Sequence, residues 1–423
     1  MMVNFNPPEH AAFVLRRLTE NGYTAVFVGG CVRDAVMGRP VHDWDVATSA
    51  TPDEVALIFP KTVLTGEKFG TVTVCAGEGT IEVTTFRVES EYNDNRRPDN
   101  VKFVVNLDDD LSRRDFTINA MAIPVSGSLI DPFGGIEDIK NRIIRCVGDP
   151  GARFSEDALR MFRAFRFRAE LGFDIEEGTL RAIYANAGKA KLISAERVRV
   201  ELEKTLMSQM PETVGEMIDA GLLDRYMSTP GKSPGGFEKI RGLPPETAMR
   251  WCALCALLLE GRLVVSVSEF LQNMRLDGKT IKICERALSV STFPDDCAGT
   301  KRLLSELGTD AARCAAAIKQ GDGSSAFKKA DEPSPCFLTK VDKLIASGEC
   351  FSLDKLAVSG SDLISLGYAP GHELGAALNK LLSHVIEYPK DNTRETLLEM
   401  VKMDKQSNAA NNQQDFVEEH VEI

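Results

Sequence analysis

Short apolar runs and helical periodicity alternate in residues 1–148, whereas helical periodicity alone dominates from Ser155 to about Met403. Short apolar runs beside turn residues are typical of buried strands, and an i, i+3, i+4 spacing is typical of helices that bury one face. A helix is predicted from Asn6 to about Asn21. Strands are predicted at 25–28, 44–46, 70–75, 80–86 and 101–105. The pattern therefore predicts an α+β head followed by an all-helical remainder.

Two stretches are predicted to lack regular structure. The connection 88–100 is polar and contains Asn93-Asp-Asn-Arg-Arg-Pro98, so we expect a mobile loop in the head. Residues 406–423 contain four acidic residues, no Lys or Arg, and a run rich in Asn and Gln. Such a composition buries little apolar surface, so we expect an acidic, disordered C-terminus.

Charge and hydropathy exclude several classes of protein. The 423 residues carry 62 acidic and 50 basic side chains, a formal charge of −12, whereas a protein that only coats nucleic acid is usually basic. A polyanion would need a local basic surface such as 140–168, where eight Lys or Arg accompany three acids. The longest apolar run, 251–259, is too short for a membrane helix, and residues 1–12 do not resemble a secretory leader. We therefore expect a soluble, cytoplasmic protein with no membrane partner.

The ten cysteines are scattered, unlike those of a small disulfide-stabilised secreted domain. Cys252 and Cys255 form a C-x-x-C within an apolar helical stretch. Their i, i+3 spacing favours neighbouring positions on a buried helix face, because no second pair or histidine cluster accompanies them. Packing is therefore predicted, with redox or zinc chemistry as the alternative.

A glycine turn and a group of acids form the first candidate site. Gly29–Gly30 follow the first predicted strand, and such a turn lets backbone N–H groups approach a phosphate, although a purely structural turn has the same pattern. On a strand, Asp43 and Asp45 would project to the same side. Two close carboxylates repel unless a hard divalent cation offsets their charge, and Glu82 could add a third acid for phosphoryl transfer. A solvated strand face is the alternative for Glu82.

His42 next to Asp43 raises a competing interpretation, a metal-dependent phosphohydrolase. Such a site needs several further histidines. The remaining four histidines of the chain have no ligand-like spacing with an acid, which argues against this reading.

Arginines are prominent in two further segments. In Arg113-Arg114-Asp115, the guanidinium groups suit triphosphate oxygens and the carboxylate suits ribose hydroxyls. In 155–172, Ser155 suits a helix N-cap, and an apolar stripe contains Ala158, Phe162, Phe165 and Ala169. The opposite face holds Glu156, Arg160 and Arg163, flanked by Asp157 and Arg166. Each segment alone also fits surface charges that form ion pairs.

Together these segments occur in the order and spacing of one family. They are Gly29-Gly-Cys-Val-Arg-Asp34, Gly38-Arg39, Asp43-Trp-Asp45, Arg113-Arg-Asp-Phe-Thr-Ile-Asn-Ala120, Asp131-Pro-Phe-Gly-Gly135 and Glu156-Asp-Ala-Leu-Arg-Met-Phe-Arg-Ala-Phe-Arg-Phe167. The chain resembles the bacterial class II tRNA nucleotidyltransferases, the CCA-adding enzymes related to poly(A) polymerase. The resemblance covers about residues 23–206, with a weaker similarity at 371–382.

The resemblance implies a seahorse-like arrangement of head, neck, body and tail. The head, 1–148, would be a polymerase-β-like nucleotidyltransferase domain with a mixed sheet and helices. An all-helical neck (149–210) with the nucleotide-selecting motif, a body (211–335) and a tRNA-contacting tail (336–403) would follow, ahead of a disordered acidic C-terminus (404–423).

The resemblance also implies roles for individual residues. Asp43 and Asp45 would hold Mg2+, with Glu82 as a third catalytic acid. The phosphates and sugar of the nucleotide would be contacted by Gly30, Arg33, Arg114 and Asp115, of which Asp115 lies near the ribose. The base would be faced by Asp157 and Arg160, and the pocket supported by Arg163 and Arg166.

The implied activity is template-independent addition of CCA to tRNA 3′ ends from CTP and ATP, with release of pyrophosphate. Poly(A) polymerase, CC-adding and A-adding relatives and a non-catalytic RNA-binding descendant are the alternatives. The segment 60–74 lacks the arginine-rich stretch typical of poly(A) polymerases, and 88–100 retains a loop that CC-adding relatives tend to lack. Clustered acids give an RNA-binding module no advantage against phosphates. The sequence does not distinguish A-adding enzymes, nor a monomer from a dimer.

Overall fold

The computed structural model describes residues 5–66, 70–77, 79–90, 100–321 and 337–418. The chain divides into two compact units, one made of Met1–Thr247 and Leu257–Leu276, the other of Ala248–Ala256 and Asp277–Ile423. This division runs through the predicted helical body, 211–335, and not along either of its ends. The predicted domain boundaries themselves stay predictions.

A mixed sheet forms the centre of the head. The strands of the first unit are β1 (Ala25–Val28), β2 (Asp45–Thr48), β3 (Thr62–Gly66), β4 (Thr71–Ala76), β5 (Gly79–Thr85), β6 (Arg87–Ser90), β7 (Asn100–Phe103), β8 (Ala122–Pro124), β9 (Ile143–Ile144) and β10 (Asp174–Ile175). Six of them pair in the order β3-β4-β5-β2-β1-β8. Neighbours in this sheet are antiparallel except β2 and β5, which are parallel. All five predicted strands are present, which confirms the α+β class.

The strands that the sequence pattern missed are short, and they are β3, β6, β8, β9 and β10. Of these, β6 pairs in antiparallel fashion with the predicted strand β7, and β9 pairs with β10 in parallel. The predicted loop 88–100 therefore begins as the strand β6, whereas residues 91–99 lie outside the described residues. Ladder hydrogen bonds, not an apolar pattern, define such strands, so their sequences carry little signal.

The central sheet is buried on both faces, as the uninterrupted apolar run of β1 requires. Ala25 and Phe27 pack into one core with helix α1 (Glu9–Glu20), whereas Val26 and Val28 pack into a second core on the other face. Each fully buried apolar side chain of this size stabilises the fold by about 1.5–3 kcal/mol. The two cores therefore fix the position of the central strands, including β2, at whose first residue Asp45 lies.

Short helices follow the strands of the first unit. They are α2 (Gly30–Val36), α3 (Pro52–Ile58), α4 (Leu107–Ser112), α5 (Gly135–Asn141), α6 (Pro150–Glu156), α7 (Leu159–Leu171), α8 (Glu177–Asn186), α9 (Ala195–Met207), α10 (Thr213–Asp219), α11 (Thr247–Glu260), whose residues belong to both units, and α12 (Val267–Asn273).

The predicted helix start at Ser155 is wrong. Asp149 caps α6 instead, since its side chain accepts from the backbone N–H of Ala152 and Pro150 occupies the first helical position. Asp157 then adopts an extended conformation, with φ −140° and ψ 104°, and separates α6 from α7. The predicted apolar stripe is buried as expected.

The second unit is helical. Its further helices are α13 (Gly278–Leu288), α14 (Cys297–Leu307), α15 (Thr309–Gly321), α16 (Phe337–Ala346), α17 (Gly360–Ser365), α18 (His372–Glu387) and α19 (Arg394–Glu418). Helix α19 continues to Glu418 where the sequence predicts disorder from residue 404, because neither Gly nor Pro interrupts its backbone hydrogen bonds; residues 419–423 lie outside the described residues. Across the described ranges, no helix combines the length and apolarity that membrane crossing requires.

The C-x-x-C cysteines are packed in a core, as predicted. Cys252 and Cys255 are buried on α11, and Sγ of Cys252 lies 3.1 Å from Sγ of Cys284. The nine cysteines that the structure describes are free thiols, and burial raises the pKa of Cys255 well above its ordinary value. A protonated, buried thiol is a poor nucleophile, which agrees with a packing role.

Candidate active site

The glycine turn lies against the acidic edge of the sheet. Gly29 has a positive φ of 74°, and α2 begins at Gly30. A Cβ atom at Gly29 would lie 3.2 Å from Nη1 of Arg114 and 3.9 Å from Oδ2 of Asp45. Glycine is therefore required both by the backbone conformation and by the close approach of these two side chains.

The predicted acids gather where β2 begins. Asp45 is paired with Glu82 in the parallel register of β2 and β5, while Asp43 precedes β2 and is exposed. Burial and the charges of Glu82 and Asp43 raise the pKa of Asp45, and Arg114 partly opposes this effect. Asp43 lies before the strand rather than on it, so the expected i, i+2 strand geometry does not apply.

These acids suit a hard cation shared with a substrate. Among the described residues, no three His, Cys, Asp or Glu side chains come close enough to hold a metal ion by themselves. Mg2+ usually binds one or two carboxylates together with substrate phosphates, so Asp43 and Asp45 match that donor set. The raised pKa of Asp45 shows that its charge lacks full compensation from the protein. A metal-dependent phosphohydrolase site at His42 would also need a cluster of ligands, and the described part of the chain contains none.

A cavity of about 420 Å³ lies next to these acids. Eight of the predicted site residues line it: Gly30, Arg33, Asp43, Asp45, Arg114, Asp115, Arg163 and Arg166. Its other lining residues are Gly29, Asp34, His42, Asn119 and Phe167. Glu82, Asp157 and Arg160 do not line it. The lining thus combines carboxylates, which suit a metal ion, with arginines, which suit the oxygens of a triphosphate.

Asn119 connects two of the predicted nucleotide-binding residues. Its Oδ1 accepts from Nη1 of Arg33 at 2.8 Å, and its Nδ2 donates to Oδ1 of Asp115 at 3.1 Å. Asp34 binds Arg33 through two further hydrogen bonds of 3.0 Å. The Arg33 guanidinium is therefore fixed before any ligand binds. Asn119 lies within the motif Arg113–Ala120, but its sequence context alone predicts no role for it.

Asp110 positions the neighbouring arginines. Its carboxylate is fully buried and forms ion pairs of 2.7 Å with Arg113 and 3.2 Å with Arg114. Burial alone would raise the pKa of Asp110, but these two arginines hold it below its ordinary value. Arg114 therefore reaches the cavity from a buried anchor that the sequence pattern did not indicate.

Asp115 and Arg163 form a buried ion pair in the cavity wall. Nη2 of Arg163 lies 2.6 Å from Oδ2 of Asp115, and the backbone N–H of Phe116 donates to Oδ1. Burial opposes ionisation of Asp115, but Arg163 and Asn119 hold its pKa far below the usual value. Asp115 is therefore held as an anion, and its Oδ2 accepts from both Nε and Nη2 of Arg163.

Phe167 is the centre of an arginine cluster. The guanidinium carbons of Arg33 and Arg163 each lie 5.2 Å from its ring centroid, and that of Arg166 lies 4.0 Å away. Phe116 packs edge-on against the same ring. Cation–π attraction holds these positive groups together in spite of their mutual repulsion. Phe167 follows Arg166 at the end of the motif Glu156–Phe167, but only its tertiary contacts identify it as a site residue.

Glu201 of α9 supports the same cluster from behind. Its Oε2 accepts from Nε of Arg166 at 2.6 Å, and its Oε1 lies 3.9 Å from Nη1 of Arg163. Glu201 is buried, so this carboxylate offsets the arginine charges within the protein. Arg163 and Arg166 both line the cavity, and their role in supporting the nucleotide pocket stays a prediction.

Asp157 and Arg160 have other partners outside the cavity lining. Arg160 is buried and donates to Glu156 at 2.5 Å and to the backbone oxygen of Arg113 at 2.7 Å. Asp157 accepts from Arg197 at 2.7 Å. The i, i+4 pair of Glu156 with Arg160 is present, whereas the alternative of a surface face does not apply, because Arg160 and Arg166 are buried.

The positive charge of the basic segment 140–168 is less available to a polyanion than the composition of the segment suggests. Ion pairs with acidic side chains are formed by Arg153, Arg160, Arg163, Arg166 and Arg168. Most of this positive charge is therefore used inside the fold or in the cavity, and not on a free surface.

Three family models match successive parts of the chain. Residues 25–145 match the poly A polymerase head domain, and residues 172–229 match a probable RNA- and SrmB-binding site of polymerase A. Residues 246–401 match a putative domain 2 of tRNA nucleotidyltransferase. The cavity residues thus fall within the head match and the segment that follows it.

Two curated relatives match nearly the whole chain. A CCA-adding enzyme of Limosilactobacillus fermentum is 39% identical over 92% of this chain and 95% of its own length. A CCA-adding enzyme of a Geobacillus species is 39% identical over 93% of this chain and 96% of its own. The crystal structure of the Bacillus stearothermophilus CCA-adding enzyme in complex with CTP is 33% identical, with a TM-score of 0.78, and covers 96% of this chain and 100% of that one.

Proposed function

This chain belongs to the CCA-adding enzymes, the bacterial class II tRNA nucleotidyltransferases related to poly(A) polymerase, and from that membership we propose how its residues divide the work. The enzyme adds CCA to tRNA 3′ ends from CTP and ATP without a nucleic-acid template and releases pyrophosphate. The tRNA, CTP and ATP are its substrates, and we expect the reaction to take place in the cytoplasm. The observation that supports this assignment most directly is the cavity that joins Asp43 and Asp45 to a set of fixed arginines.

Asp43 and Asp45 would hold Mg2+, with Glu82 as the third acid beside Asp45. When bound, the ion would lower the pKa of the attacking 3′-hydroxyl and neutralise charge on the triphosphate. The three acids place negative charge at this end of the strands, and the ion would offset it where the tRNA 3′ end is bound.

Gly30, Arg33 and Arg114 would bind the triphosphate. The helix α2 begins at Gly30, so its first N–H groups are available to phosphate oxygens, and both arginines are held by carboxylates before the substrate arrives. Preorganised donors of this kind stabilise charge without having to reorganise during the reaction. Asp115 would accept from a ribose hydroxyl in exchange for one of its present donors, because Oδ1 already accepts from Phe116 and Asn119, and Oδ2 accepts from Nε and Nη2 of Arg163.

Asp157 and Arg160 would read the base. Cytosine and adenine each present an exocyclic amino donor beside an unprotonated ring nitrogen, whereas uracil and guanine present a carbonyl beside a ring N–H. Asp157 can accept from the amino group and Arg160 can donate to the ring nitrogen. Arg160 donates to Glu156 and to the backbone oxygens of Arg113 and Arg153, so its guanidinium is held in place before the base binds.

A substrate-resolved incorporation assay tests this function. The protein is incubated with Mg2+ and tRNA transcripts that end in the discriminator base, in C or in CC, and each NTP is supplied separately. We expect C on the first two transcripts and A on the third. Continued addition of A would instead indicate poly(A) polymerase, C alone a CC-adding enzyme, A alone an A-adding enzyme, and no addition a binding protein.

A further inference from the structure

Asp157 is held from outside its own helix by Arg197 of α9. Nη2 of Arg197 donates to Oδ2 of Asp157 across 2.7 Å, and the backbone N–H of Leu159 donates to Oδ1 at 3.1 Å. Each carboxylate oxygen thus has one fixed donor, from α9 and from the start of α7. Two donors on different oxygens fix the plane of a carboxylate, while lone pairs remain for a further donor.

The local backbone leaves this carboxylate in need of such support. Asp157 adopts an extended conformation between α6 and α7, so its side chain does not lie within a helical turn. Arg197 is itself held mainly by this contact, because its Nη1 is buried without a hydrogen-bond acceptor in the described part of the chain. A buried donor without a partner costs free energy, so the fold keeps this guanidinium beside Asp157 at some expense.

We propose that Arg197 is a specificity-determining positioning residue, which acts through its ion pair with Asp157. The inference rests on the proposed function, in which Asp157 accepts from the amino group of cytosine or adenine. A carboxylate rejects a carbonyl only when it is unable to turn away from it, since discrimination depends on leaving the wrong base unpaired. Arg197 prevents that rotation, so the Asp157 carboxylate accepts from the amino group of cytosine or adenine and rejects the carbonyl of uracil or guanine.

The chain offers a matched control on the same helix. Arg199 also lies on α9 and is partly buried, but it pairs with Glu203 at 3.9 Å and does not contact Asp157. Arg197→Met and Arg199→Met therefore remove the same charge from the same element, and only the first removes the contact with Asp157. Arg197→Lys keeps the charge and one donor.

The measurement is the ratio of kcat/KM for CTP over UTP on a transcript without CCA, and for ATP over GTP on a transcript that ends in CC. We expect Arg197→Met to lower both ratios about tenfold or more, Arg197→Lys to restore part of them, and Arg199→Met to leave them unchanged. In an Asp157→Ala background, Arg197→Met should lower the ratios no further, because both changes remove one interaction. If Arg197→Met does not fold, Arg197→Lys must show an intermediate ratio.

Three outcomes overturn the inference. The first is that Arg197→Met keeps the wild-type kcat/KM ratios while Asp157→Ala lowers them. This result would leave the proposed function intact and would exclude only the positioning role of Arg197. The second is Asp157→Ala with wild-type ratios, which removes the base-reading role and the inference together. The third is an Arg199→Met effect equal to that of Arg197→Met, which would indicate a general effect of α9.

Discussion

Asp45 lies directly opposite Glu82 in the parallel pairing of β2 with β5. This register places a half-buried carboxylate beside a second acid, and burial together with Glu82 raises the pKa of Asp45. A raised pKa in the folded state means that the ionised carboxylate destabilises the fold. The cost is absent below the ordinary pKa of 3.8 and grows as the pH rises through the raised value.

Replacing this carboxylate should abolish catalysis and stabilise the protein. Asp45→Asn is expected to lower incorporation of every nucleotide at least about a hundredfold, because several kcal/mol of transition-state stabilisation are lost. In metal-free buffer at pH 7, Asp45→Asn should melt at a higher temperature than the wild type, and this gain should vanish below about pH 4. Mg2+ should raise the Tm of the wild type more than that of the variant. The exposed Asp53→Asn serves as a control, and equal activity in both variants would refute the metal assignment.

The two base-reading residues should affect selectivity more than the acids do. Asp157→Ala and Arg160→Ala are expected to lower CTP and ATP use and to narrow their advantage over UTP and GTP, because unpaired buried groups cost about 1–3 kcal/mol each. Asp43→Ala should instead abolish use of all four nucleotides alike. Single-nucleotide incorporation with each NTP measures both effects. If Asp157→Ala and Arg160→Ala both kept the wild-type selectivity at a reduced rate, Asp157 and Arg160 would have a structural role only.

The buried anchor Asp110 should control both stability and its acid dependence. Asp110→Asn is expected to destabilise the fold by about 3 kcal/mol at pH 7, because Arg113 and Arg114 lose a buried counter-charge. The lowered pKa of Asp110 means that its contribution is complete above the ordinary value of 3.8 and is lost as the pH falls below it. Urea unfolding should therefore show that, between pH 7 and pH 3, the free energy of unfolding falls more steeply for the wild type than for Asp110→Asn. The exposed Asp108→Asn on α4 should keep the wild-type slope, and a shared slope for all three would contradict the assignment.

The arginine cluster should depend on the aromatic face of Phe167. Phe167→Leu keeps an apolar side chain but removes cation–π contacts worth about 0.5–2 kcal/mol, so we expect the KM for CTP and ATP to rise equally, by about tenfold. Steady-state kinetics with both nucleotides test this expectation. Phe173→Leu removes a buried ring whose arginine contact lies outside the cavity and should leave KM unchanged. A change for one nucleotide only would place Phe167 in base selection.

Binding of tRNA should follow the rules of phosphate contacts in spite of the net charge of −12. Affinity is expected to fall steeply between about 50 and 200 mM salt, because the released counterions oppose binding. Filter binding or anisotropy with a tRNA transcript measures this slope, and a flat response would exclude a phosphate-tracking surface. Deletion of 406–423 should change neither binding nor activity, since the contacts of Lys405 with the backbone oxygens of Leu366 and Gly367 remain.

The sequence predicts those parts of the fold and site that are encoded locally. The apolar run of β1 and the glycine turn after it are local signals, and the structure contains both. The predicted helix start at Ser155 was wrong because Asp149 with Pro150 forms a competing start nearly two turns earlier. The roles of Asn119 and Glu201 depend on contacts with residues far away in the chain, which composition and spacing do not encode.

The parallel pairing of β2 with β5 also has a consequence for the order of folding. Helix α3 and the strands β3 and β4 lie between these two strands, so their pairing closes a long loop, whereas the antiparallel neighbours β3, β4 and β5 are joined locally. Local pairings form first, and long-range ones form later. Asp45 and Glu82 therefore meet only when the sheet closes, and their repulsion opposes that step.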